Sequence, residues 1–373
     1  MATYCKGAIL VNRVVIAGAS GVVGNAALDH YLEQGWDVVA LSRRKPHTQS
    51  TRTFLHIPLD LRDAAACREV LGGLRGISQL VYAALHEMPG LVPGWSEKEQ
   101  MTTNEAMLRN TLDSLTESNL SHVVLLQGTK AYGVHVRPLR IPAKENQPRV
   151  IHENFYWLQE DLLVSAAQTR GFSFTIFRPQ FIFGGVVGAA MNLVPVIAIY
   201  GALRRAEGKP FSYPGGRSFV AEASDPRQLA QAMMWSLESE AAQNETFNIT
   251  NGDVFEWRDV WPAIGNFLGL EMGPDEKMSL AQYLPAKASD WAEIVAANRL
   301  QDMPLSSYLG ESHHYADYAF AYEADDRGSD HGSAPAFLSA IKIREAGFTP
   351  VYDTEDSLGY WINVLRERKL LPN

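Results

Sequence analysis

Residues 154–161, N-F-Y-W-L-Q-E-D, contain a candidate reactive residue, Tyr156. A phenol in the first turn of a helix is a candidate reactive group when a lysine four residues later, one turn away on the same face, favours its ionised form. The fourth residue is instead Glu160, and a carboxylate there would raise the pKa of the phenol. Tyr156 is therefore either a packed aromatic residue or receives its cation from another part of the chain.

Lys130 is the candidate for that cation. It lies in G-T-K-A-Y-G, residues 128–133, directly after a predicted strand at residues 122–127. Ligands of parallel α/β sheets bind at the carboxyl ends of the strands, so this position favours a functional lysine over a solvated loop lysine. We expect Lys130 to take the place of the lysine that is missing after Tyr156.

The element that must present Tyr156 is a helix that begins at Asn154. Asparagine is a preferred N-cap residue, and Leu158, Leu162 and Leu163 recur behind it with helical spacing. The phenol would therefore lie at the amino end of this helix.

A glycine-rich turn near the start of the chain predicts a nucleotide site. It lies between a β-branched run at residues 13–17, typical of a buried strand, and a helical stretch that ends near Glu33. The spacing G-x-x-G-x-x-G permits a tight turn, close approach of backbone to a pyrophosphate and close helix packing. This context favours dinucleotide binding over a turn without a ligand. The expected contacts are Gly18, Ser20, Gly21, Val22, Val23 and Gly24.

The residues after the second predicted strand indicate which nucleotide binds. That strand, residues 36–41, is followed by Ser42, Arg43 and Arg44, with no acidic residue to bind the ribose hydroxyls of NAD. Two arginines can form paired charge-assisted hydrogen bonds to a 2′-phosphate. NADPH is therefore the expected cofactor, and a solvated basic turn is the alternative.

Further cofactor contacts are expected where other strands end. Asp60 follows a predicted strand at residues 53–58, and it would accept a hydrogen bond from the adenine amino group or cap the next helix. Residues after a strand at 79–83 would line the ribose, and residues after a strand at 175–178 would contact the nicotinamide. The remaining expected contacts are Leu61, Ala83, Ala84, Gln127, Gly128, Lys130, Tyr156, Pro179, Phe181 and Ile182.

The segments G-T-K-A-Y-G and N-F-Y-W-L-Q-E-D together resemble the progesterone 5β-reductase and iridoid synthase family, an offshoot of the extended short-chain dehydrogenases. That family carries its catalytic lysine in G-T-K-x-Y and its tyrosine in N-F-Y-Y-x-x-E-D. The similarity continues through R-P-Q-F-I-F-G at residues 178–184 and F-N-I-T-N-G-D-V-F-E-W at residues 247–257. It extends to Gly347-Phe348, Trp361 and Pro372 near the C-terminus, and it therefore spans nearly the whole chain. One departure is Trp157, which stands where the family has a second tyrosine.

The resemblance implies an NADPH-dependent reductase of activated C=C bonds in enones or enals. Hydride would pass to the β-carbon while Tyr156 and Lys130 stabilise the enolate. Met191, Asn192 and Tyr315 are the implied substrate contacts. Two alternatives stay open, namely a carbonyl reductase that uses the same residues and a non-catalytic NADP-binding regulator.

The element pattern predicts an α/β fold, a Rossmann-type doubly wound parallel sheet with a smaller, interleaved C-terminal lobe. Residues 1–187 would form the NADP-binding domain and residues 188–373 mainly the substrate-binding lobe, with segments near 217–224 and 246–250 returning to the sheet region. Other predicted elements are helices at 97–118, 191–205, 225–238, 336–345 and 354–368, and an exposed loop at 325–333.

Composition limits the partners. A net charge of −9 and a pI near 5.6 leave no basic excess for nucleic acid or an anionic membrane. The two cysteines, Cys5 and Cys67, predict free thiols in a reducing compartment, and no metal site is expected. We expect a cytoplasmic protein whose partner is a small unsaturated carbonyl compound or ketone, and a homodimer is left open.

Overall fold

The computed structural model describes residues 12–322 and 335–373. Cys5 and the exposed loop predicted at residues 325–333 lie outside the described residues. Within these two ranges no helix is long and apolar enough to cross a membrane.

Strands and helices alternate through the first two thirds of the chain. The strands are β1 (Arg13–Ala17), β2 (Asp37–Leu41), β3 (Leu55–Ile57), β4 (Gln79–Tyr82), β5 (His122–Leu126), β6 (Ser173–Pro179), β7 (Phe181–Ile182), β8 (Val220–Ala221), β9 (Ala223–Ser224), β10 (Glu245–Ile249) and β11 (Phe255–Glu256). The helices are α1 (Val22–Glu33), α2 (Ala64–Leu71), α3 (Lys98–Ser114), α4 (Phe155–Arg170), α5 (Leu193–Ala206), α6 (Pro226–Glu238), α7 (Trp257–Leu268), α8 (Leu280–Tyr283), α9 (Ala288–Asn298), α10 (Leu305–Leu309), α11 (Ser312–Ala319), α12 (Ile341–Glu345) and α13 (Thr354–Glu367).

The centre of the fold is a 7-stranded sheet in the order β10-β6-β5-β4-β1-β2-β3. Every neighbouring pair in it is parallel, so all its strands end at the same edge. The order reverses direction at β1, because β2 lies on one side of it and β4 on the other. The predicted doubly wound parallel sheet is confirmed.

Two helical layers cover this sheet. α1 and α6 pack their apolar side chains on one face, and α2, α3 and α4 pack on the other. Strands that are covered on both faces need continuous apolar sequences, which explains the β-branched runs in β1, β2 and β5. A second core, in the C-terminal part of the chain, is rich in aromatic residues and contains Trp257, Trp261 and Trp291.

The two segments expected to return to the sheet region behave differently. Residues Glu245–Ile249 form β10 and pair with β6 as the last strand of the large sheet. Residues 220–224 pair with short strands beyond the end of β6, β9 with β7 and β8 with β11, and add no strand to the large sheet.

Two predicted helices are shorter than expected. The helix predicted at 336–345 begins only at Ile341, since Leu338 bridges to Ala143 and the Ser339 amide donates to the Ala143 carbonyl over 2.9 Å. The helix predicted at 97–118 ends at Ser114, and the Arg170 guanidinium binds carbonyl groups at its carboxyl end. Local periodicity carried no information about either long-range contact.

Candidate active site

A cleft of about 660 Å³ runs along the carboxyl edge of the sheet and under the C-terminal lobe. Residues that follow β1, β2, β4, β5 and β6 line one side, and Met191, Phe219 and Tyr315 line the other. This is the edge at which ligands of open α/β sheets bind. Of the residues predicted to bind cofactor or substrate, all but Gly24 and Asn192 line the cleft.

The turn after β1 has the shape that a dinucleotide requires. Gly18 has φ +84°, and a Cβ atom there would lie 2.7 Å from the backbone of Ala83. Gly24 faces away from the cleft, and a Cβ on it would overlap the Gly18 carbonyl, so glycine lets α1 approach the turn. No side chain caps the amino end of α1 at Gly21, which leaves its amide groups for an anion. The cradle therefore fits a pyrophosphate.

Basic side chains lie at the end of the cleft that follows β2 and β3. Ser42, Arg43, Arg44 and Arg62 line it, and the Arg44 guanidinium reaches across to the Gly188 carbonyl at 3.5 Å. The Ser42 hydroxyl donates to the Arg44 carbonyl over 2.6 Å, which fixes this turn. Sequence reasoning missed Arg62, although it follows β3 as Arg43 follows β2, in the segment after a strand of the sheet.

Asp60 does not cap α2, which was one of the two roles expected for it. Its carboxylate lies in the cleft and binds the Arg62 guanidinium through both oxygens, at 3.0 and 2.6 Å. These hydrogen bonds lower the pKa of Asp60 to about 2. The cap of α2 is instead Asp63, whose Oδ1 accepts from the amides of Ala65 and Ala66. The capping alternative for Asp60 is wrong, and its contact with adenine stays a prediction.

Asn154 joins the backbones of the two predicted catalytic residues. It is the N-cap of α4, and its Oδ1 accepts from the Tyr156 amide at 3.0 Å. Its Nδ2 donates to the Lys130 carbonyl at 2.5 Å. The side chains of Tyr156 and Lys130 both line the cleft, so the structure brings together two residues far apart in the sequence.

Lys130 is buried in a turn, Thr129–Tyr132, directly after β5. Its side chain is 10% exposed, and Nζ lies 3.5 Å from Oε1 of Glu87 and 4.2 Å from the centre of the Trp95 ring. Burial lowers the pKa of Lys130, while the charge of Glu87 opposes that shift. Sequence reasoning missed Glu87 and Trp95. The sequence feature that could have indicated them is their place in the segment after β4.

Tyr156 is buried, with 7% of its surface exposed, and lies in the first turn of α4. Burial raises the pKa of its phenol, and the negative charge of Glu87 raises it further. The phenol therefore stays protonated at neutral pH and can donate a hydrogen bond. A buried donor and a buried ammonium group that line the same cleft can together stabilise an oxyanion.

The expected effect of Glu160 on Tyr156 is wrong. The Glu160 carboxylate binds Arg178 and Arg149, each at 2.9 Å, and does not line the cleft. The raised pKa of Tyr156 comes from burial and Glu87. Glu160 has a supporting role, because Gln127 donates both to its carboxylate and to the Tyr156 carbonyl.

Trp157, the departure from the family motif, faces away from the cleft. Its indole Nε1 donates to the Ala131 carbonyl at 3.2 Å, and its ring packs against His152. The residue therefore fastens α4 to the turn that carries Lys130. A tyrosine is not needed at this position for a phenol to reach the cleft.

The residues predicted to contact substrate do not share one location. Met191 and Tyr315 line the cleft, and the Tyr315 ring packs against Phe181 at 5.9 Å. Asn192 is only 1% exposed, and its amide binds the backbones of Gly184 and Val186. Its side-chain amide therefore stabilises the loop before α5. The substrate contact implied for Asn192 is corrected accordingly.

Known proteins resemble this chain in both sequence and fold. A model of the NAD dependent epimerase/dehydratase family matches residues 14–250. The chain belongs to this family. Members bind a nicotinamide cofactor, and the Bordetella bronchiseptica enzyme WbmH in complex with NAD+ has a similar fold, with a TM-score of 0.66, 15% identity and coverage of 96% of this chain and 99% of that one.

Two relatives within this family are similar over nearly the full length. An (S)-8-oxocitronellyl enol synthase of Camptotheca acuminata is 27% identical, with 96% of this chain and 93% of the relative covered. A 3-oxo-Delta(4,5)-steroid 5-beta-reductase of Arabidopsis thaliana is 29% identical, with 96% and 92% covered. These relatives confirm the resemblance that the lysine and tyrosine motifs predicted.

Proposed function

We propose that this protein is an NADPH-dependent reductase of C=C bonds conjugated with a ketone or aldehyde. The proposal is supported above all by Tyr156 and Lys130, which are both buried and both line the cleft, as do residues that follow β6. The relatives named as a steroid 5-beta-reductase and an enol synthase support a substrate with a conjugated carbonyl group.

The chain's own residues would act on the substrate oxygen. A bound NADPH supplies a hydride, which the β-carbon of the substrate receives. The protonated phenol of Tyr156 donates a hydrogen bond to the carbonyl oxygen, and this bond strengthens as the oxygen becomes an enolate. The Lys130 ammonium stabilises the same negative charge, and the saturated product forms when the α-carbon of the enolate takes up a proton from water. Since both groups are buried, they act where water screens charge weakly.

The preference for NADPH is supported by the basic end of the cleft. Arg43 and Arg44 follow β2, where an acidic residue would repel a 2′-phosphate. Both guanidinium groups can form paired hydrogen bonds with that phosphate. The location of the protein in the cytoplasm stays a prediction, and a homodimer is left open.

A panel of enones, enals and ketones, with NADPH oxidation followed and products identified, tests this function. A saturated ketone or aldehyde as product is expected, whereas an allylic alcohol would indicate a carbonyl reductase. Tyr156→Phe should lower turnover strongly. Tyr132→Phe is the matched control, because Tyr132 is also buried but its phenol binds Asn248 outside the cleft. Equal activity of both variants would contradict the proposal.

A further inference from the structure

Glu87 is a carboxylate inside the cleft. Its side chain is 3% exposed, and its Oε1 lies 3.5 Å from Nζ of Lys130. Its Oε2 accepts a hydrogen bond from Gln100 at 2.5 Å, and the same Gln100 side chain accepts from the Met88 amide at 2.9 Å. The carboxylate is therefore held in one place by a cation and a neutral donor.

The two ends of the cleft carry opposite charges. Arg43, Arg44 and Arg62 lie at the nucleotide end, whereas Lys130 lies near Tyr156 and is already paired with Glu87. A second carboxylate, Glu311, lines the cleft near Tyr315 and accepts from the Gly90 amide at 2.9 Å. Among the described residues that line this end of the cleft, two carboxylates, Glu87 and Glu311, therefore face one cation, Lys130.

The other side chains here are large and mostly apolar. Trp95 and Phe155 stand next to Lys130, and Tyr315 and Tyr318 stack with their ring centres 6.2 Å apart. Such walls bind flat apolar molecules and provide no further cation.

We propose that Glu87 makes this site select uncharged α,β-unsaturated carbonyl compounds and reject those that carry a carboxylate. The inference rests on the proposed reductase function. A carboxylate on the substrate would enter a space lined by two carboxylates, Glu87 and Glu311, and one cation, Lys130, so it would meet one net negative charge. At an effective dielectric constant of about 20, one unit charge about 8 Å away changes binding by about 30-fold.

The enolate formed during reduction is not excluded by the same argument. Its oxygen would lie against the two groups that stabilise it, the Tyr156 phenol and the Lys130 ammonium, while the rest of its charge lies on the α-carbon. A carboxylate elsewhere on the substrate has no such donors. Glu87 therefore discriminates between a charge at the reacting oxygen and a charge at another position.

The test uses one cyclohexenone that carries a carboxymethyl substituent, as the free acid and as its methyl ester. The wild-type protein should show a kcat/KM at least about 30-fold higher for the ester. Glu87→Gln should reduce this ratio about tenfold by raising kcat/KM for the acid. Glu105→Gln is the charge-matched control, since Glu105 pairs with Arg109 on the surface of α3, and it should keep the wild-type ratio.

Two results would overturn the proposal: equal wild-type use of acid and ester, or an unchanged ratio in Glu87→Gln. If that variant does not fold, Glu87→Asp, which retains the charge, must keep a preference for the ester of more than tenfold. If neither compound is reduced, the proposed function fails by itself. Binding of the acid and the ester to the protein with NADP+, measured by quenching of tryptophan fluorescence, then decides whether Glu87 rejects the carboxylate.

Discussion

The replacement of Lys130 by methionine is the most direct test of how this cleft handles negative charge. Methionine has a similar length and no charge, so the change removes the ammonium from the cleft while filling most of its volume. Loss of one preorganised group that stabilises an oxyanion lowers kcat by about 10²–10³-fold. We expect turnover to fall by that factor, with a much smaller effect on NADPH binding.

The structure also predicts a cost in stability. Lys130 and Glu87 are both buried, and removal of the cation leaves the Glu87 carboxylate, within residues 12–322 and 335–373, with the hydrogen bond from Gln100. Breaking a buried ion pair from one side costs about 3–5 kcal/mol in the free energy of unfolding. The double variant Lys130→Met with Glu87→Gln removes the unpaired charge as well. It should recover most of this stability and none of the lost turnover.

The assay is single-wavelength NADPH oxidation with a saturating enone, together with urea unfolding of each variant. Glu160→Gln is the matched control, because Glu160 occupies the position where a reductase tyrosine usually has its lysine. Its partners Arg149 and Arg178 lie outside the cleft, so most of the turnover should remain. If Glu160→Gln lost more turnover than Lys130→Met, the assignment of the cation would be refuted.

Three other predictions concern positioning, cofactor choice and pH. Asn154→Asp keeps the cap acceptor for Tyr156 but loses the donor to the Lys130 carbonyl, so turnover should fall about tenfold, and the melting temperature should fall because the new carboxylate is buried against that carbonyl. Replacing Arg43 and Arg44 by alanine should weaken NADPH binding about 10–100-fold in a titration and leave NADH binding nearly unchanged. Burial lowers the pKa of His122 from 6.5 to about 4. Because the unfolded chain takes up this proton first, the free energy of unfolding should fall as the pH drops below 6.5, by about 2 kcal/mol at pH 5, and His122→Gln should flatten that slope in urea unfolding.

Much of the framework could be predicted from sequence because it depends on local patterns. The glycine spacing after β1 and the arginines after β2 each lie at a strand end, and parallel strands end at one edge. Lys130 and Tyr156 were found in the same way, one after β5 and the other behind an N-cap. These features can be recognised from residues that are close together in the sequence.

The partners of these residues required the tertiary structure. Glu87 contacts Lys130 across 43 residues of sequence, and Glu160 is drawn away from Tyr156 by Arg149 and Arg178. Asn192 follows Met191, which lines the cleft, yet the Asn192 amide binds backbone groups and does not line the cleft. The direction of a polar side chain depends on which donors and acceptors reach it from distant segments, and no local pattern records those distances. The sequence by itself therefore determined which residues could stabilise an oxyanion, and the tertiary structure decided which charges surround them.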